Sequence, residues 1–181
     1  MEIPDQMARD AAVVIALGSN MAGEFGSSDE MLERAILALN NNDITVTGRS
    51  CLWRSDAWPD PNGPEYRNAV VLVETKLTPA SLMAALHAIE RAFGRERGRP
   101  NAPRTLDLDL IAYGRRVEAG PPVLPHPRAA ERRFVMGPLA ELLPDWRHPV
   151  SGERAEALAE RSVVGRDAMP LPRESDGRAQ A

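Results

Sequence analysis

Paired carboxylates occur in one apolar stretch of the chain, where Asp107 and Asp109 alternate with Leu106, Leu108 and Leu110. Side chains two residues apart leave the same face of an extended strand, so both carboxylates are expected on one face and the leucines on the other. Two neighbouring acids repel each other, and burying them unpaired is costly. We therefore predict a cationic partner for the pair. The alternative is an edge strand whose two aspartates are solvated.

A cluster of arginines precedes the two aspartates. Five of them fall within fourteen residues: Arg91, Arg95, Arg97, Arg99 and Arg104. Carboxylates that bind a divalent metal ion, next to arginines that bind the remaining oxygens, suit a polyphosphate ligand. The alternative is a solvated arginine loop without a ligand.

Length and composition limit the kind of protein. A chain of 181 residues that is 43% hydrophobic can form one well-buried core and is short for two. We predict a single domain over residues 1–165 and a polar, mobile tail over 166–181. The formal net charge of −4 argues against a general nucleic-acid binder, and Cys51, the only cysteine, excludes an internal disulfide.

No targeting signal is expected at the beginning of this sequence. Glu2 and Asp5 replace the basic residues of a signal peptide, and the first apolar run ends at Gly18. No signal peptide or membrane span is predicted, and a cytoplasmic location is expected.

The elements that position these residues alternate between strands and helices. Apolar runs predict strands over 11–17, 44–53 and 66–77, followed by the strand that carries the aspartates. Helical spacing predicts two helices, one after the capping-box segment 27–30 and one that begins at Thr78-Pro79 and ends at Gly94. The segments 54–65 and 94–103 are predicted loops.

This order of elements predicts an α+β fold with a ferredoxin-like βαββαβ core, in which helices pack on an antiparallel sheet. A Pro-rich C-terminal extension follows, with short helices predicted at 138–143 and 151–162. The fold alone indicates no activity, because it hosts many functions.

Several polar residues are candidates for binding, each with a structural alternative. His126 lies in a rigid Leu-Pro-His-Pro segment, whereas His87 falls near the apolar stripe of its helix and suits packing. Glu90 could form a solvated pair with Arg91. Asn68 could pair with the edge of a heterocycle, or be an ordinary surface residue.

Five segments of the chain become informative when they are considered together. They are Ile15–Asn20, Glu65–Val70, Gly94–Arg97, Pro103–Asp109 and Leu124–Pro127 with Glu131–Phe134. From about Val13 to Pro149, this succession closely resembles the 6-hydroxymethyl-7,8-dihydropterin pyrophosphokinases of folate biosynthesis. The Pro-Arg-Thr-Leu-Asp-Leu-Asp block is highly specific to that family.

The resemblance implies an activity. A diphosphoryl group would move as a unit from ATP to the hydroxymethyl group of 6-hydroxymethyl-7,8-dihydropterin, with release of AMP. It implies two Mg²⁺ ions, ATP as co-substrate, no nucleic-acid or membrane partner, and a monomer.

The resemblance also implies the site residues. The catalytic set is Arg95, Arg104, Asp107 and Asp109, of which Asp107 and Asp109 are the metal ligands. The ATP-binding set is His87, Glu90, Arg97, Arg104, Leu110, His126 and Arg132. The set that binds the pterin substrate is Gly18, Ser55, Trp58, Tyr66, Asn68, Asp107 and Phe134.

Two segments depart from the family pattern. The Pro-rich loop usually begins Arg-Thr-x-Pro-x-Gly, and this chain has Arg-Ser-Asp-Ala-Trp-Pro over 54–59. A tryptophan usually precedes the Pro-Arg-Thr block, where this chain has Pro-Asn-Ala over 100–102. Trp58 is the candidate replacement for that aromatic wall, and a contact with the core or with a partner is the alternative.

Two functions of other classes are alternatives. An RNA-binding module on the same fold would show exposed aromatic residues and a basic surface, whereas aromatic residues are 4% of this chain and its net charge is negative. A metal-dependent phosphohydrolase would use Asp107 as its nucleophile and release phosphate without any pterin.

Overall fold

The structure is a computed structural model that describes residues 6–57, 60–94 and 106–172. The helices are α1 (Gln6–Asp10), α2 (Ser28–Leu39), α3 (Pro79–Ala92), α4 (Arg133–Leu142) and α5 (Ala155–Arg161), with a 3-10 helix at Ala129–Glu131. The strands are β1 (Val13–Ser19), β2 (Ile44–Arg49), β3 (Trp53–Ser55), β4 (Tyr66–Thr75), β5 (Asp107–Tyr113), β6 (Glu118–Ala119), β7 (Val123–Leu124) and β8 (Met169–Pro170). Within the described ranges, no helix is long and apolar enough to cross a membrane.

The main sheet is antiparallel throughout. Its order is β5-β1-β4, and the far edge of β4 is shared by β2, which pairs with residues 71–75, and β3, which pairs with 66–68. β8 then pairs with β3. With β2 and β3 counted as one strand, this is the βαββαβ arrangement, so the predicted fold class and antiparallel sheet are confirmed.

The two helices of the βαββαβ unit begin where their capping residues predict. Ser27 Oγ accepts a hydrogen bond from the Glu30 N–H at 3.1 Å at the start of α2. Thr78 Oγ1 accepts one from the Ser81 N–H at 3.2 Å at the start of α3, where Pro79 is the first helical residue.

The sheet separates two apolar cores because successive side chains of each strand point to opposite faces. The first core lies under α2 and α3 and contains Ile15, Leu17, Leu32, Leu86 and Leu108 among others. The second lies under α4 and α5 and contains Val14, Ala16, Val70, Met136 and Trp146 among others. The site described below occupies the uncovered end of the second face.

The strand predicted over 44–53 is wrong as one element, because the chain breaks between β2 and β3. A register shift near Gly48 precedes the break. Ser50, which is buried, then replaces the missing ladder bonds: its N–H donates to the Val70 carbonyl and its Oγ accepts from the Val70 N–H, both at 3.0 Å. The pairing with β4 therefore continues across the break through a side chain.

The C-terminal part contains more regular structure than the sequence predicts. The helix predicted at 138–143 begins five residues earlier, since α4 starts at Arg133 and carries Pro138 within it. The helix predicted at 151–162 is confirmed as α5. Residues of the predicted tail contribute β8, and Ala168 is buried beside it.

Trp53 connects the start of β3 to α4 through a hydrogen bond and a close packing contact. Its indole N–H donates to Glu141 Oε2 at 3.0 Å, and the Cys51 N–H donates to Oε1 of the same carboxylate at 2.8 Å. The indole lies so close to Gly137 that a Cβ there would come within 2.5 Å of Trp53 Cζ3. Only glycine allows this approach of strand and helix.

We expect Gly137→Ala to lower the free energy of unfolding by about 1–2 kcal/mol, because overpacking costs more than the helix propensity gained from alanine. Urea denaturation followed by circular dichroism measures the change. Gly26→Ala is the control, since its Cβ would meet only the flexible end of Glu30 at 3.3 Å. Equal stability of the two variants would contradict the proposed packing constraint.

Candidate active site

Four residues form a row across four neighbouring strands. Trp53 of β3 lies opposite Asn68 of β4, Asn68 opposite Gly18 of β1, and Gly18 opposite Asp107 of β5. Residues directly opposite in antiparallel strands point to the same face. Because Trp53 contacts α4, the whole row faces the side of the sheet that α4 covers.

Gly18 keeps the middle of this row open. A Cβ there would lie 3.5 Å from Asn68 Oδ1, which is an ordinary contact, and it would occupy the space between Asn68 and Asp107. The backbone and neighbours of Gly18 would therefore tolerate a Cβ in the free protein, and its place in the substrate site stays a prediction.

The two aspartates project from the predicted face of β5. Asp107 and Asp109 are half-buried, whereas Leu106, Leu108 and Leu110 are at most 3% exposed and pack in the first core. Asp109 lies opposite Ala16, one step along the sheet from the row. The alternation predicted from the sequence is confirmed, and both carboxylates border one open patch.

Arg132, at the N-terminus of α4, supplies positive charge beside the aspartates. Burial and the charge of Arg128 lower the pKa of the Arg132 guanidinium, while Asp109, Asp107 and Glu131 act in the opposite direction. The guanidinium also lies 5.7 Å from the centre of the Phe134 ring. Electrostatic contact with both carboxylates places Arg132 at the site.

His126 interacts electrostatically with Asp109. Its backbone N–H donates a hydrogen bond to the Ile111 carbonyl at 2.8 Å, and this bond connects the His126 segment to β5. Its Nδ1 accepts the Arg128 N–H at 3.3 Å, so the Nε2 side of the imidazole is the one left to serve a ligand. Burial lowers the pKa of His126, with Arg132 and Arg128 adding to the effect and Asp109 opposing it.

Asn68 and Ser55 form a buried polar pair at the other end of the row. Asn68 Nδ2 donates to Ser55 Oγ at 3.0 Å, and both residues are about 5% exposed. Tyr66 is half-buried opposite Ser55 in the ladder. These three predicted substrate residues are therefore neighbours.

Phe134 is held from below by the C-terminal segment. Gly165, with φ of +69°, lies under the ring, and a Cβ there would come within 2.6 Å of Phe134 Cδ1. The adjacent Arg133 donates to the Ala159 carbonyl at 2.9 Å and to the Ala168 carbonyl at 3.2 Å. Of the two neighbouring arginines, Arg133 binds backbone carbonyls of the C-terminal segment, and Arg132 is the one predicted to bind ATP.

Three predicted ATP residues lie on α3 or β5. Glu90 is 2% exposed and accepts the Leu108 N–H at 2.8 Å, so the suggested solvated pair with Arg91 is wrong. His87 is half-buried on the same helix. Leu110 has its side chain in the first core, so any contact it makes at the site would come from its backbone.

Four predicted residues lie outside the described part of the chain: Arg95, Arg97, Arg104 and Trp58. The loop predicted over 54–65 is described apart from residues 58–59, and its first two residues belong to β3. The loop predicted over 94–103 is described only at Gly94. Gly94, at the end of α3, has φ of +83° and so turns the chain as a helix-ending glycine does.

The donor set suits a hard cation. Within the described ranges, no group of three or more His, Cys, Asp and Glu side chains is placed to hold a metal ion. Two carboxylates on one open face are, however, the usual protein contribution to Mg²⁺, which keeps waters and binds substrate phosphates as well. Asp107 and Asp109 therefore fit Mg²⁺ that arrives with a polyphosphate.

Sequence reasoning missed residues that build the site from a distance. Trp53 and Glu141 hold the end of β3 against α4, and Gly165 supports Phe134. Each lies 28 or more residues from its partner along the chain, so local patterns carry no signal for these contacts. The positive φ of Gly165 is the one feature that a glycine in the sequence could have suggested.

Comparison with known proteins identifies the family. A sequence profile described as 7,8-dihydro-6-hydroxymethylpterin-pyrophosphokinase (HPPK) matches residues 14–144. That range contains every described residue of the candidate site apart from Gly165, and it is well over half of the chain. The chain belongs to this family. The predicted family is thereby confirmed.

Individual relatives agree with the profile. A protein from Synechocystis named 2-amino-4-hydroxy-6-hydroxymethyldihydropteridine pyrophosphokinase is 40% identical over 150 residues, which are 82% of this chain and 74% of that protein. One of the same name from Methylorubrum extorquens is 40% identical over 154 residues, covering 83% of this chain and 94% of that protein.

Other family members are longer. The Pneumocystis carinii folic acid synthesis protein fol1 is 35% identical over 161 residues. The matched region is 88% of this chain but only 21% of that protein. The crystal structure of Plasmodium falciparum HPPK-DHPS with STZ-DHP matches 83% of this chain and 43% of that chain, at 12% identity and a TM-score of 0.66. At that identity, the likeness shows the shared fold.

The electrostatic contact between His126 and Asp109 gives a testable titration. We expect Asp109→Asn to lower the pKa of His126 further, because it removes the charge that opposes the effect of burial. His148, whose pKa is also lowered chiefly by burial but has Glu153 as its acidic neighbour, is the internal control. Proton NMR of the imidazole signals in the free protein measures both values.

The lowered pKa of His126 makes the free energy of unfolding depend on pH. The folded protein binds a proton at His126 less readily than the unfolded chain, so stability should fall as pH drops below the ordinary value of 6.5. His126→Gln should make that fall shallower in urea denaturation. An unchanged pKa of His126 in Asp109→Asn would show that the two groups do not interact.

Proposed function

We propose that the chain transfers the diphosphoryl group of ATP to the hydroxymethyl oxygen of 6-hydroxymethyl-7,8-dihydropterin and releases AMP, in tetrahydrofolate biosynthesis. One observation carries this proposal beyond family membership. Asp107 and Asp109 border an open patch that has a buried amide at one end and Arg132 with His126 at the other. The patch thus offers separate surroundings for a heterocycle and for a polyphosphate.

Asn68, Ser55, Tyr66 and Phe134 are proposed to bind the pterin. The amide of Asn68 can donate and accept in one plane, which matches the edge of a pterin ring, and its bond to Ser55 fixes its orientation. Phe134 is held rigidly by Gly165 and offers a ring for stacking. Gly18 leaves the space between them and Asp107 open.

Asp107 and Asp109 are proposed to hold two Mg²⁺ ions together with the ATP phosphates. Bound there, the metal would neutralise phosphate charge and make the substrate hydroxyl more acidic. The two carboxylates are brought onto one face by the strand itself, so their directions are set before any ligand arrives.

Arg132 and His126 are proposed to serve the nucleotide. The Arg132 guanidinium, partly desolvated by burial, would bind phosphate oxygens more strongly than a fully solvated one. His126 stays neutral near pH 7, because its pKa is lowered, and its Nε2 can donate a hydrogen bond. The predicted roles of Arg95, Arg97 and Arg104 rest on their place in the family motif.

The proposed reaction forms one bond and breaks one. The hydroxymethyl oxygen attacks the β-phosphorus of ATP and loses its proton, while the bond between the β-phosphorus and the oxygen that it shares with the α-phosphorus breaks. AMP leaves with that oxygen. Positioning and charge neutralisation supply most of the rate enhancement in such transfers.

The remaining expectations about the protein stay predictions. They are the action as a monomer, the absence of nucleic-acid and membrane partners, the cytoplasmic location, the division into residues 1–165 and 166–181, and the part played by Trp58.

The product of the reaction tests the proposal. Incubation with ATP, Mg²⁺ and the reduced pterin should give one AMP for each pterin diphosphate, and EDTA should stop it, because the metal-free triphosphate is repelled by the two aspartates. Chromatography of the nucleotides measures this. Stoichiometric ADP would indicate an ordinary kinase, and phosphate released without pterin would indicate the alternative phosphohydrolase.

The aspartates are tested by Asp107→Asn and Asp109→Asn. Each should lower turnover at least about 10²–10³-fold, as removal of one electrostatic contribution to a transition state does. The free protein should keep its stability or gain some, because the repulsion between two acids is relieved. Glu74→Gln, an exposed change on β4 away from the site, is the control and should keep full activity. Activity retained in both aspartate variants would contradict the metal assignment.

A further inference from the structure

A buried carboxylate binds the backbone of the strand that carries the aspartates. Glu90 lies in the last turn of α3 and is 2% exposed. Its Oε1 accepts a hydrogen bond from the Leu108 N–H at 2.8 Å. Leu108 is the residue between Asp107 and Asp109, so this bond is made to the peptide group that joins Asp107 to Leu108.

The bond stabilises an otherwise weakly held edge. In the described part of the sheet, β5 is the outermost strand, with β1 as its only ladder partner in the sheet order. The N–H of Leu108 points to Glu90 instead of β1. A buried N–H without an acceptor costs roughly 1–3 kcal/mol, so an acceptor at this edge fixes the strand.

A carboxylate is an expensive choice of acceptor at this position. Glu90 is at the C-terminal end of a helix, where the macrodipole disfavours negative charge. The Glu90 carboxylate is also buried, and its hydrogen-bond partner Leu108 is flanked in sequence by two further acids, Asp107 and Asp109. Its hydrogen bond to the strand between the two aspartates gives a functional reason for an acceptor at this position.

We propose that Glu90 is a positioning residue that sets the directions of the Asp107 and Asp109 carboxylates through the peptide N–H of Leu108. This inference rests on the proposed function, which makes the two aspartates metal ligands. It gives Glu90 a different role from the direct ATP contact that the family resemblance implies. Residues behind metal ligands typically affect metal affinity by about 10–100-fold.

Loss of the hydrogen bond has a specific consequence. Without it, the peptide between Asp107 and Leu108 can tilt. The Asp107 side chain starts from the Cα at one end of that peptide, and Asp109 follows one residue beyond the other end, so both carboxylates can change direction. The separation of the carboxylates then varies in the free protein. The cost should appear in metal binding, whereas the Asn68–Ser55 end of the site should bind pterin as before.

Three variants separate the hydrogen bond from charge and packing. Glu90→Gln keeps an acceptor oxygen at the same reach and removes the charge. Glu90→Leu fills the space without an acceptor. Glu90→Asp keeps the charge but is one methylene too short to reach the N–H, and it serves as the second test if Glu90→Leu fails to fold. Glu74→Leu, exposed on β4, is the matched surface control.

The measurement is calorimetric titration of Mg²⁺ into each folded protein with a non-hydrolysable ATP analogue bound. We expect Glu90→Leu and Glu90→Asp to weaken the apparent Mg²⁺ affinity at least about 10-fold, and Glu90→Gln to stay within about 3-fold of the wild type. In steady-state kinetics, the first two should raise the Mg²⁺ concentration needed for half-maximal rate, with little change in the KM for pterin.

Three outcomes would overturn the proposal. Equal loss in Glu90→Gln and Glu90→Leu would mean that charge, and not the hydrogen bond, matters. A lowered melting temperature without any change in Mg²⁺ affinity would mean a structural role only. A raised KM for ATP at saturating Mg²⁺ would favour direct nucleotide contact. The proposed function fails separately, since it requires only that the wild type form AMP and pterin diphosphate.

Discussion

The antiparallel pairing of β1 with both β4 and β5 is the constraint on which the site depends. Register in such a sheet is strongly specified, because a slip of one residue would move every apolar side chain to the wrong face. The same register that buries Val14 and Ile15 on opposite faces places Asn68, Gly18 and Asp107 in line. A residue proposed to bind the pterin, a glycine and a residue proposed to bind metal are therefore aligned by the packing of the core.

The two faces of the sheet differ in composition: one is mainly apolar, and the other also carries the polar residues of the candidate site. The face under α2 and α3 contains the larger apolar cluster. The other face packs under α4 and α5, and beyond that apolar cluster the same face carries the aspartates and the buried amide. A functional surface can be polar here because the opposite face of the same strands supplies the burial.

The C-terminal part of the fold acts as the support of the site. Trp53 binds Glu141 of α4, Arg133 binds carbonyls of residues 159 and 168, and Gly165 underlies Phe134. These contacts fix the N-terminus of α4, where the pKa of Arg132 responds to the charges of Asp109 and Asp107. A segment that the sequence presents as a Pro-rich extension is thus required for the position of two predicted binding residues.

The sequence by itself determined the features that depend on neighbours along the chain. Alternation placed the aspartates on one face of β5, capping residues located the starts of α2 and α3, and the specific Pro-Arg-Thr-Leu-Asp-Leu-Asp block predicted the family. Periodicity also predicted the βαββαβ order, since apolar spacing reports local geometry directly. These are properties of single elements, and the structure confirms them.

Only the tertiary structure decided the features that depend on residues far apart. Glu90 looked like a solvated residue next to Arg91, yet folding brings it to the Leu108 N–H and buries it. The break between β2 and β3 follows from the pairing of Ser50 with Val70. The different surroundings of Arg132 and Arg133 follow from the start of α4 at Arg133. Local patterns cannot report such contacts, because burial and hydrogen-bond partners are set by packing between elements that the chain separates by many residues.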